Sequence, residues 1–309
     1  MALWDIEPNR ISANLSDKII QFYGGNSTRK TSVAACFPNS LLFGFEKGYQ
    51  LIDGVIAVPV DSWSVFKDHL RQLKDPRAKA KFKTIIIDTT RIAYDLCTTY
   101  ILSRYEKEDI TDIGTKGKGW SVLKKEFSDV LNSIPKMGYG LILITHATEE
   151  TKKVNGEDTV IVKTDLDKVG TDIINKLVDF QFFVRKEDDE EGNLTVYAYA
   201  DVSFADTKNR LRYFPKHFEF TYENLINAYE TALEEERKHG AQLVDSRSVM
   251  AESLEDLRNE VIELVKAHPE NEEVFNYIST HFDVKLSETD ETHYDKLIAT
   301  RDFIKGLQE

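Results

Sequence analysis

The sequence predicts an α/β fold with a mostly parallel central sheet. Continuously apolar runs recur at Ile19–Tyr23, Leu41–Phe45, Phe82–Asp88 and Gly140–His146, and amphipathic stretches of helical length separate them. Runs that are apolar throughout, rather than alternating, mark strands covered on both faces. The first run stops at Gly24-Gly25 and gives way to Lys30-Thr31 and then Ser-Val-Ala-Ala-Cys-Phe. That is the order strand, tight loop, helix.

Gly24, Lys30 and Thr31 match the outer positions of a phosphate-binding loop, G-x-x-x-x-G-K-[ST]. Gly25, Asn26, Ser27, Thr28 and Arg29 fill its interior, and Ser32 follows it. Such a loop wraps a triphosphate with backbone N–H groups at a helix N-terminus. Lys30 would reach the β- and γ-phosphates, and the Thr31 hydroxyl would hold Mg²⁺. Arg29 replaces the second glycine, and Ser27 stands where many such loops have another. Glycine serves there because the backbone must come close to phosphate or take unusual dihedrals. The plainer reading is a surface turn that precedes a lysine.

The remaining elements follow in order. Residues 1–17 form a polar lead-in with Pro8, and Pro38-Asn39 ends the first helix. Leu41–Phe45 is a buried strand closing on Glu46, and Val55–Val60 is another, which Pro59 places near an edge. Trp63–Leu73 is an amphipathic helix with Phe66, Leu70 and Leu73 on one face. The β-branched run Phe82–Asp88 ends on a carboxylate, and a helix through Ala93–Tyr105 comes next. A polar loop at 107–119, a helix from Trp120 to Ile134 and the strand Gly140–His146 follow. Asp179–Val184 and Leu194–Tyr199, joined by a long charged connection, predict a β-hairpin. From Tyr222 onward the pattern is helical, with breaks near Gly240, Pro269 and Ser287.

Bulk properties narrow the function classes. The 309 residues suffice for one large or two moderate domains. No apolar run approaches the ~20 residues of a membrane span, and no basic-then-apolar leader stands at Met1, so a cytoplasmic protein without a membrane partner is expected. Cys36 and Cys97 fall in apolar helical stretches and are expected as buried free thiols. The seven histidines show no metal-ligand spacing, so no structural metal site is expected. The net charge of −13 is uneven: residues 1–221 hold 32 acidic and 31 basic residues, and residues 222–309 hold 21 and 9. This asymmetry predicts a core over 1–221 and an acidic helical region over 222–309. The apolar spacing at Leu254, Leu257, Val261, Leu264 and Val265 makes the latter a packed unit rather than a disordered tract.

Asp88, ending a buried strand downstream of a phosphate loop, is where such proteins organise Mg²⁺. Glu46 ends the strand after the loop helix, at the edge where open α/β sheets present ligands. A carboxylate there can deprotonate an attacking water, or it can be a solvated strand end. His146 ends the fourth strong strand at the same edge and can hydrogen-bond a γ-phosphate, or be satisfied by neighbouring backbone. Lys208 and Arg210, in Asp-Thr-Lys-Asn-Arg-Leu-Arg, are candidates for a finger reaching a neighbouring subunit's nucleotide; an ordinary basic loop is the bland alternative. Lys116, Lys118, Lys124, Lys125, Lys152, Lys153 and Lys163 flank loops that can line a nucleic-acid groove, or are solvated surface lysines.

Taken together, Ile-Ile-Gln-Phe-Tyr-Gly-Gly-Asn-Ser-Thr-Arg-Lys-Thr-Ser, Phe-Pro-Asn-Ser-Leu-Leu-Phe-Gly-Phe-Glu-Lys-Gly, Thr-Ile-Ile-Ile-Asp-Thr, Gly-Lys-Gly-Trp and Ile-Thr-His-Ala resemble the phage-encoded RecA-like ATPases. Some members of that group assist single-strand annealing and recombination. The resemblance covers roughly residues 15–220. It implies a RecA-like P-loop NTPase core, with Lys30 and Thr31 in the phosphate loop and Asp88 on Mg²⁺. It further implies Glu46 as the catalytic carboxylate and His146 as a phosphate sensor. The leading expectation is an ATP-binding and ATP-hydrolysing homo-oligomer on single-stranded DNA in a bacterial host, with a single-strand-binding or other replication protein as a further partner. A nucleotide-binding scaffold without turnover and a P-loop small-molecule kinase are the alternatives. Against the kinase, no Arg-rich lid is evident between the later helices.

Overall fold

The computed structural model describes residues 8–154, 157–188, 192–245, 254–268, 271–290 and 293–306. It divides into two compact units, residues 1–247 and 248–309.

The first unit begins with β1 (Ile11–Ser12), β2 (Ile19–Gly24), α1 (Lys30–Ala35), β3 (Ser40–Gly44), β4 (Ala57–Pro59), α2 (Trp63–Gln72), α3 (Pro76–Lys81), β5 (Thr84–Asp88) and α4 (Thr90–Tyr105). It continues through α5 (Lys118–Lys136), β6 (Gly140–Val154), β7 (Glu157–Thr164), α6 (Lys168–Leu177), β8 (Phe180–Asp188), β9 (Leu194–Tyr199), β10 (Lys208–Asn209), β11 (His217–Glu219), α7 (Tyr222–Lys238) and β12 (Leu243–Val244). The main sheet runs β11-β9-β8-β2-β6-β5-β3-β4. From β8 to β4 all pairings are parallel, whereas β8–β9 and β9–β11 are antiparallel. Residues 189–191 of the connection expected between β8 and β9 lie outside the described residues, as do residues 1–7 of the lead-in.

Each face of the sheet is covered, as the continuous apolar strands require. On one face, Phe66 of α2, Cys97 of α4, Leu123 and Phe127 of α5 and Ile174 of α6 pack on Phe43, Ile85, Ile87 and Leu143. On the other, Val33 of α1 and Leu225, Tyr229 and Leu233 of α7 pack on Ile20, Phe22, Ile86 and Phe182. Helix starts are set locally: Ser62, Asp75, Asp167 and Thr221 each accept a backbone N–H from the first turn they cap. No helix among the described residues is long and apolar enough to cross a membrane.

Four features differ from the sequence expectations. The strand expected to stop at His146 runs on to Val154 and pairs antiparallel with β7, making a ribbon that leaves the sheet. β7 carries a short β-branched run, Thr159–Val162, but charged residues flank it on both sides, unlike the strands of the parallel sheet. Helices α3 and α6 add to the expected elements, each opened by an aspartate cap, Asp75 and Asp167. Cys36 is exposed at the end of α1, its thiol bonded to the Ser32 carbonyl, while Cys97 is buried; Val33, Ala34 and Phe37 take the inward positions, which leaves Cys36 on the outer side. The core also extends past residue 221: the Tyr229 hydroxyl donates to the Ser12 carbonyl at 2.5 Å, and β12 pairs parallel with β1. Within α7 five acidic residues stand against two basic ones on its outer side, but its apolar face belongs to the core.

The second unit holds α8 (Leu254–Ala267), α9 (Glu272–His281) and α10 (Tyr294–Gly306). Leu257, Val261, Phe282 and Leu297 form its own small core. Arg258 donates to the Thr289 hydroxyl and carbonyl, tying α8 to the loop before α10. The helix break expected at Pro269 falls outside the described residues.

Burying Leu225, Tyr229 and Leu233 contributes roughly 1.5–3 kcal/mol each, against the ~5–15 kcal/mol of a whole domain. A chain ending at residue 221 should therefore lose cooperative thermal unfolding, and one ending at Arg247 should keep it. Circular dichroism melts of the two truncations check this, and equal melts would remove α7 from the core.

Candidate functional site

The parallel register brings four strand ends to one edge. Gly24 lies opposite His146 on β6 and Val184 on β8, while Gly44 lies opposite Asp88 on β5. The loop after Gly24, the Phe45-Glu46 turn after β3, Asp88 and His146 therefore share the carboxyl edge of the sheet. Gly24 is required there: a Cβ at this position would sit 1.9 Å from the Val184 carbonyl oxygen.

The loop takes the glycine-type backbone without the glycines. Ser27 has φ 59° and Arg29 φ 60°, both left-handed. That conformation costs an L-residue about 1–2 kcal/mol, so the substitutions strain the loop rather than reshape it. Gly25, Asn26, Ser27, Arg29 and Ser32 are exposed, while Thr28 and Lys30 are buried. Helix α1 is only six residues long, so an anion here depends on loop backbone and Lys30 more than on a helix dipole.

Lys30 curls back into its own loop. Its Nζ donates to the Gly24 carbonyl at 2.9 Å, the Gly25 carbonyl at 2.7 Å and the Thr28 hydroxyl at 3.2 Å. Burial pushes its pKa down to about 8, while Asp88, Glu46 and Asp165 pull it back up. The Thr31 hydroxyl donates to Asp88 Oδ2 at 2.7 Å. Burial raises the Asp88 pKa and the Glu46 charge adds to it, whereas the Thr31 bond and Lys30 oppose the rise. A hydroxyl and a carboxylate oxygen in contact are hard donors of the kind Mg²⁺ takes alongside phosphate and water. The residues present thus fit a Mg²⁺–nucleotide: Lys30 and the loop for phosphate, Thr31 and Asp88 for the metal.

Glu46 sits beside this pair. Its backbone N–H and that of Phe45 donate to the Asp88 carbonyl at 3.2 and 2.7 Å. Its Oε1 accepts from Thr89 Oγ1 at 3.0 Å and lies 3.5 Å from His146 Nε2. The other ring nitrogen of His146, Nδ1, is buried without a hydrogen-bond partner, as is Asp165 Oδ1. Asp165 donates its N–H to the His146 carbonyl and receives Arg91 on its own carbonyl. Burial raises the Asp165 pKa, opposed by His146 and Arg91.

Two expected residues are not brought here. Lys208 pairs across from Gln181, near the start of β8, whereas Gly24 pairs with Val184; three residues of strand separate them by ~10 Å along the sheet. Lys208 Nζ donates to the Asn175 carbonyl, and Arg210 Nε contacts Asp179 at 3.1 Å. Among the expected basic residues, Lys163 is paired with Glu150 and Lys125 with Asp129. Conversely, Thr89, Asp165 and Arg91 join the site unannounced. The hydroxyls directly after Asp88 are a usable signal for Thr89, whereas Asp165 follows β7, outside the parallel strands that mark the edge.

The comparisons with known proteins agree with this geometry. The AAA domain family matches residues 16–217. A curated relative is the SPbeta prophage-derived uncharacterized protein YorG of Bacillus subtilis (strain 168), 34% identical over 145 residues. That match takes in 46% of this chain and 45% of the relative, so the chain spans under half the length of the curated relative it matches. The family match takes in every parallel strand of the main sheet and the whole cluster at its carboxyl edge, and a domain of this kind with a phosphate loop is a nucleotide-binding one. This chain belongs to the AAA domain family.

Proposed function

We propose that this chain is a RecA-like ATPase of phage or prophage origin that binds Mg²⁺–ATP at the carboxyl edge of its sheet, hydrolyses it, and acts on single-stranded DNA as a homo-oligomer. The observation that carries the hydrolytic part is Glu46, held by Thr89 one strand away from Asp88 and 3.5 Å from His146. When bound, Mg²⁺ supplies charge neutralisation to the β- and γ-phosphate oxygens. Lys30 exchanges its loop carbonyls for phosphate oxygens. Glu46 takes the proton of the attacking water, with Thr89 fixing which oxygen is free to do so. His146 reads the γ-phosphate through its 3.5 Å approach to Glu46.

The DNA part rests on the family resemblance and on one structural support. Strand β6 continues from His146 directly into the β6–β7 ribbon, so a change at His146 has a covalent path to a projecting surface. Residues 147–164 carry three lysines and four carboxylates, so affinity for a phosphate backbone must come from more than ribbon charge. Lys208 and Arg210 belong to this proposal only as groups offered to a neighbour's nucleotide. The prophage context is carried over from the relative's name. A nucleotide-binding scaffold remains the alternative, favoured by the two left-handed residues that replace glycines in the loop.

Lys30→Ala should abolish ATP binding and leave the melt unchanged, as read by calorimetric titration and circular dichroism. For the parent, phosphate contact favours charged Lys30, whose free pKa is about 8. Binding above that pH therefore takes up a proton, and affinity should fall by up to about tenfold per pH unit. Titrations at pH 8.5 in buffers of different ionisation enthalpy measure the uptake; none would place the charge elsewhere. Glu46→Gln should keep ATP affinity and lower turnover by ~10²-fold or more, whereas Thr89→Val should lower it less. Steady-state phosphate release with and without single-stranded DNA checks both variants. Turnover absent from the parent under all conditions favours the scaffold.

A further inference from the structure

The base of the β6–β7 ribbon holds two polar atoms to which the hydrolysis described above gives no role. His146 Nδ1 and Asp165 Oδ1 are both buried, and neither has a hydrogen-bond partner. The two residues face each other. Ala147 pairs with Thr164 at the base of the antiparallel ladder, and one step beyond it the Asp165 N–H donates to the His146 carbonyl at 3.1 Å. Directly opposed residues of such a ladder share a face, with Cβ atoms ~4.5–5.5 Å apart. A buried imidazole nitrogen and a buried carboxylate oxygen are thus within a side-chain rotation of each other. Each supplies what the other lacks.

The surrounding cations are engaged elsewhere. Arg91 of α4 directs its guanidinium to the Asp165 carbonyl at 2.6 Å and to the Asp95 carboxylate at 2.9 Å. Lys30 Nζ is held by the Gly24 and Gly25 carbonyls and the Thr28 hydroxyl. On the far side of the imidazole, Nε2 lies 3.5 Å from Glu46 Oε1, which already accepts from Thr89. A neutral imidazole carries one N–H, and the hydrogen bond made at one nitrogen decides the role of the other. With the proton on Nε2, the ring donates to Glu46 and occupies it. With the proton on Nδ1, Nε2 faces Glu46 as an acceptor, and the carboxylate stays free to take a proton from water.

We propose that Asp165 is a positioning residue that sets the tautomer of His146: its carboxylate accepts the Nδ1–H, which keeps Nε2 unprotonated and Glu46 available as the base. A carboxylate behind a histidine does the same in Ser-His-Asp triads, where its replacement by the amide keeps the geometry and reverses the tautomer. The effect of Asp165 on turnover rests on Glu46 as the base of hydrolysis; its effect on the tautomer does not. Because His146 ends the parallel part of β6 and Asp165 follows β7, the same bond joins the two ribbon strands where they meet the site.

The test uses the full chain with isotope-labelled histidine and long-range proton–nitrogen correlation spectra at about pH 8, above the ordinary imidazole range. His146→Gln identifies the His146 signals among the seven histidines. The parent should carry the His146 proton on Nδ1. In Asp165→Asn the side-chain amide donates to Nδ1, so the proton should move to Nε2. Thermal melts establish that this isosteric variant is folded. Its kcat should fall by about tenfold or more while its KM for ATP stays within about twofold. Added to Glu46→Gln, the same change should cost no further turnover, because the base it protects is already gone. The proposal is overturned if the parent carries the proton on Nε2, or if Asp165→Asn leaves the tautomer as it was. It is also overturned if the tautomer moves and an active parent loses no turnover, or if the losses from Asp165→Asn and Glu46→Gln multiply. A parent without turnover counts against hydrolysis alone, since the tautomer is read in the nucleotide-free protein and still decides what Asp165 does.

Discussion

The parallel ladder that holds Gly24 between His146 and Val184 is the constraint on which the site depends. A parallel sheet delivers all its carboxyl ends to one edge, and strand register then decides which residues meet there. Here it aligns Gly24 with His146 and Gly44 with Asp88. No side chain is tolerated at Gly24, because the carbonyl of Val184 already occupies that space. The phosphate loop is thus clamped from beneath by the sheet and from the side by the Thr31–Asp88 bond.

Electrostatics at that edge are balanced only in part. Asp88, Glu46 and Asp165 all act on a single buried lysine, and burial works against the charged form of both Lys30 and Asp88. Lys30 answers by donating to carbonyls of its own loop. These are neutral acceptors, weaker than the charged oxygens of a phosphate. The arrangement is therefore poised to exchange them for an anion, with the buried, unpartnered Asp165 Oδ1 and His146 Nδ1 marking where further polar rearrangement has room to occur.

Next to this edge the β6–β7 ribbon leaves the sheet. It is anchored at its base where Val162 exchanges backbone bonds with Phe204 and Asp206 and where the Tyr23 hydroxyl donates to the Asp206 carbonyl at 2.6 Å. Tyr23 directly precedes Gly24, so ribbon base and phosphate loop share a strand. The ribbon lies on the same chain segment as His146.

Local patterning determined much of this protein. The strand–loop–helix at 19–35, the strands ending at Asp88 and near Glu46, and the helix periodicity of α2, α4 and α5 are written in short contiguous stretches, where apolar runs and glycines report directly on backbone state. The family match supports the P-loop α/β core inferred from them. Tertiary structure decided the rest. The Thr89–Glu46 bond joins two strand ends 43 residues apart. The αL backbone at Ser27 and Arg29 runs against the preference of those residues. The placement of α7 in the core contradicts a charge boundary at 221, because net charge records a helix's outer face, whereas core membership depends on what its inner face meets. Partners distant in sequence leave no local trace, and so only the folded chain shows them.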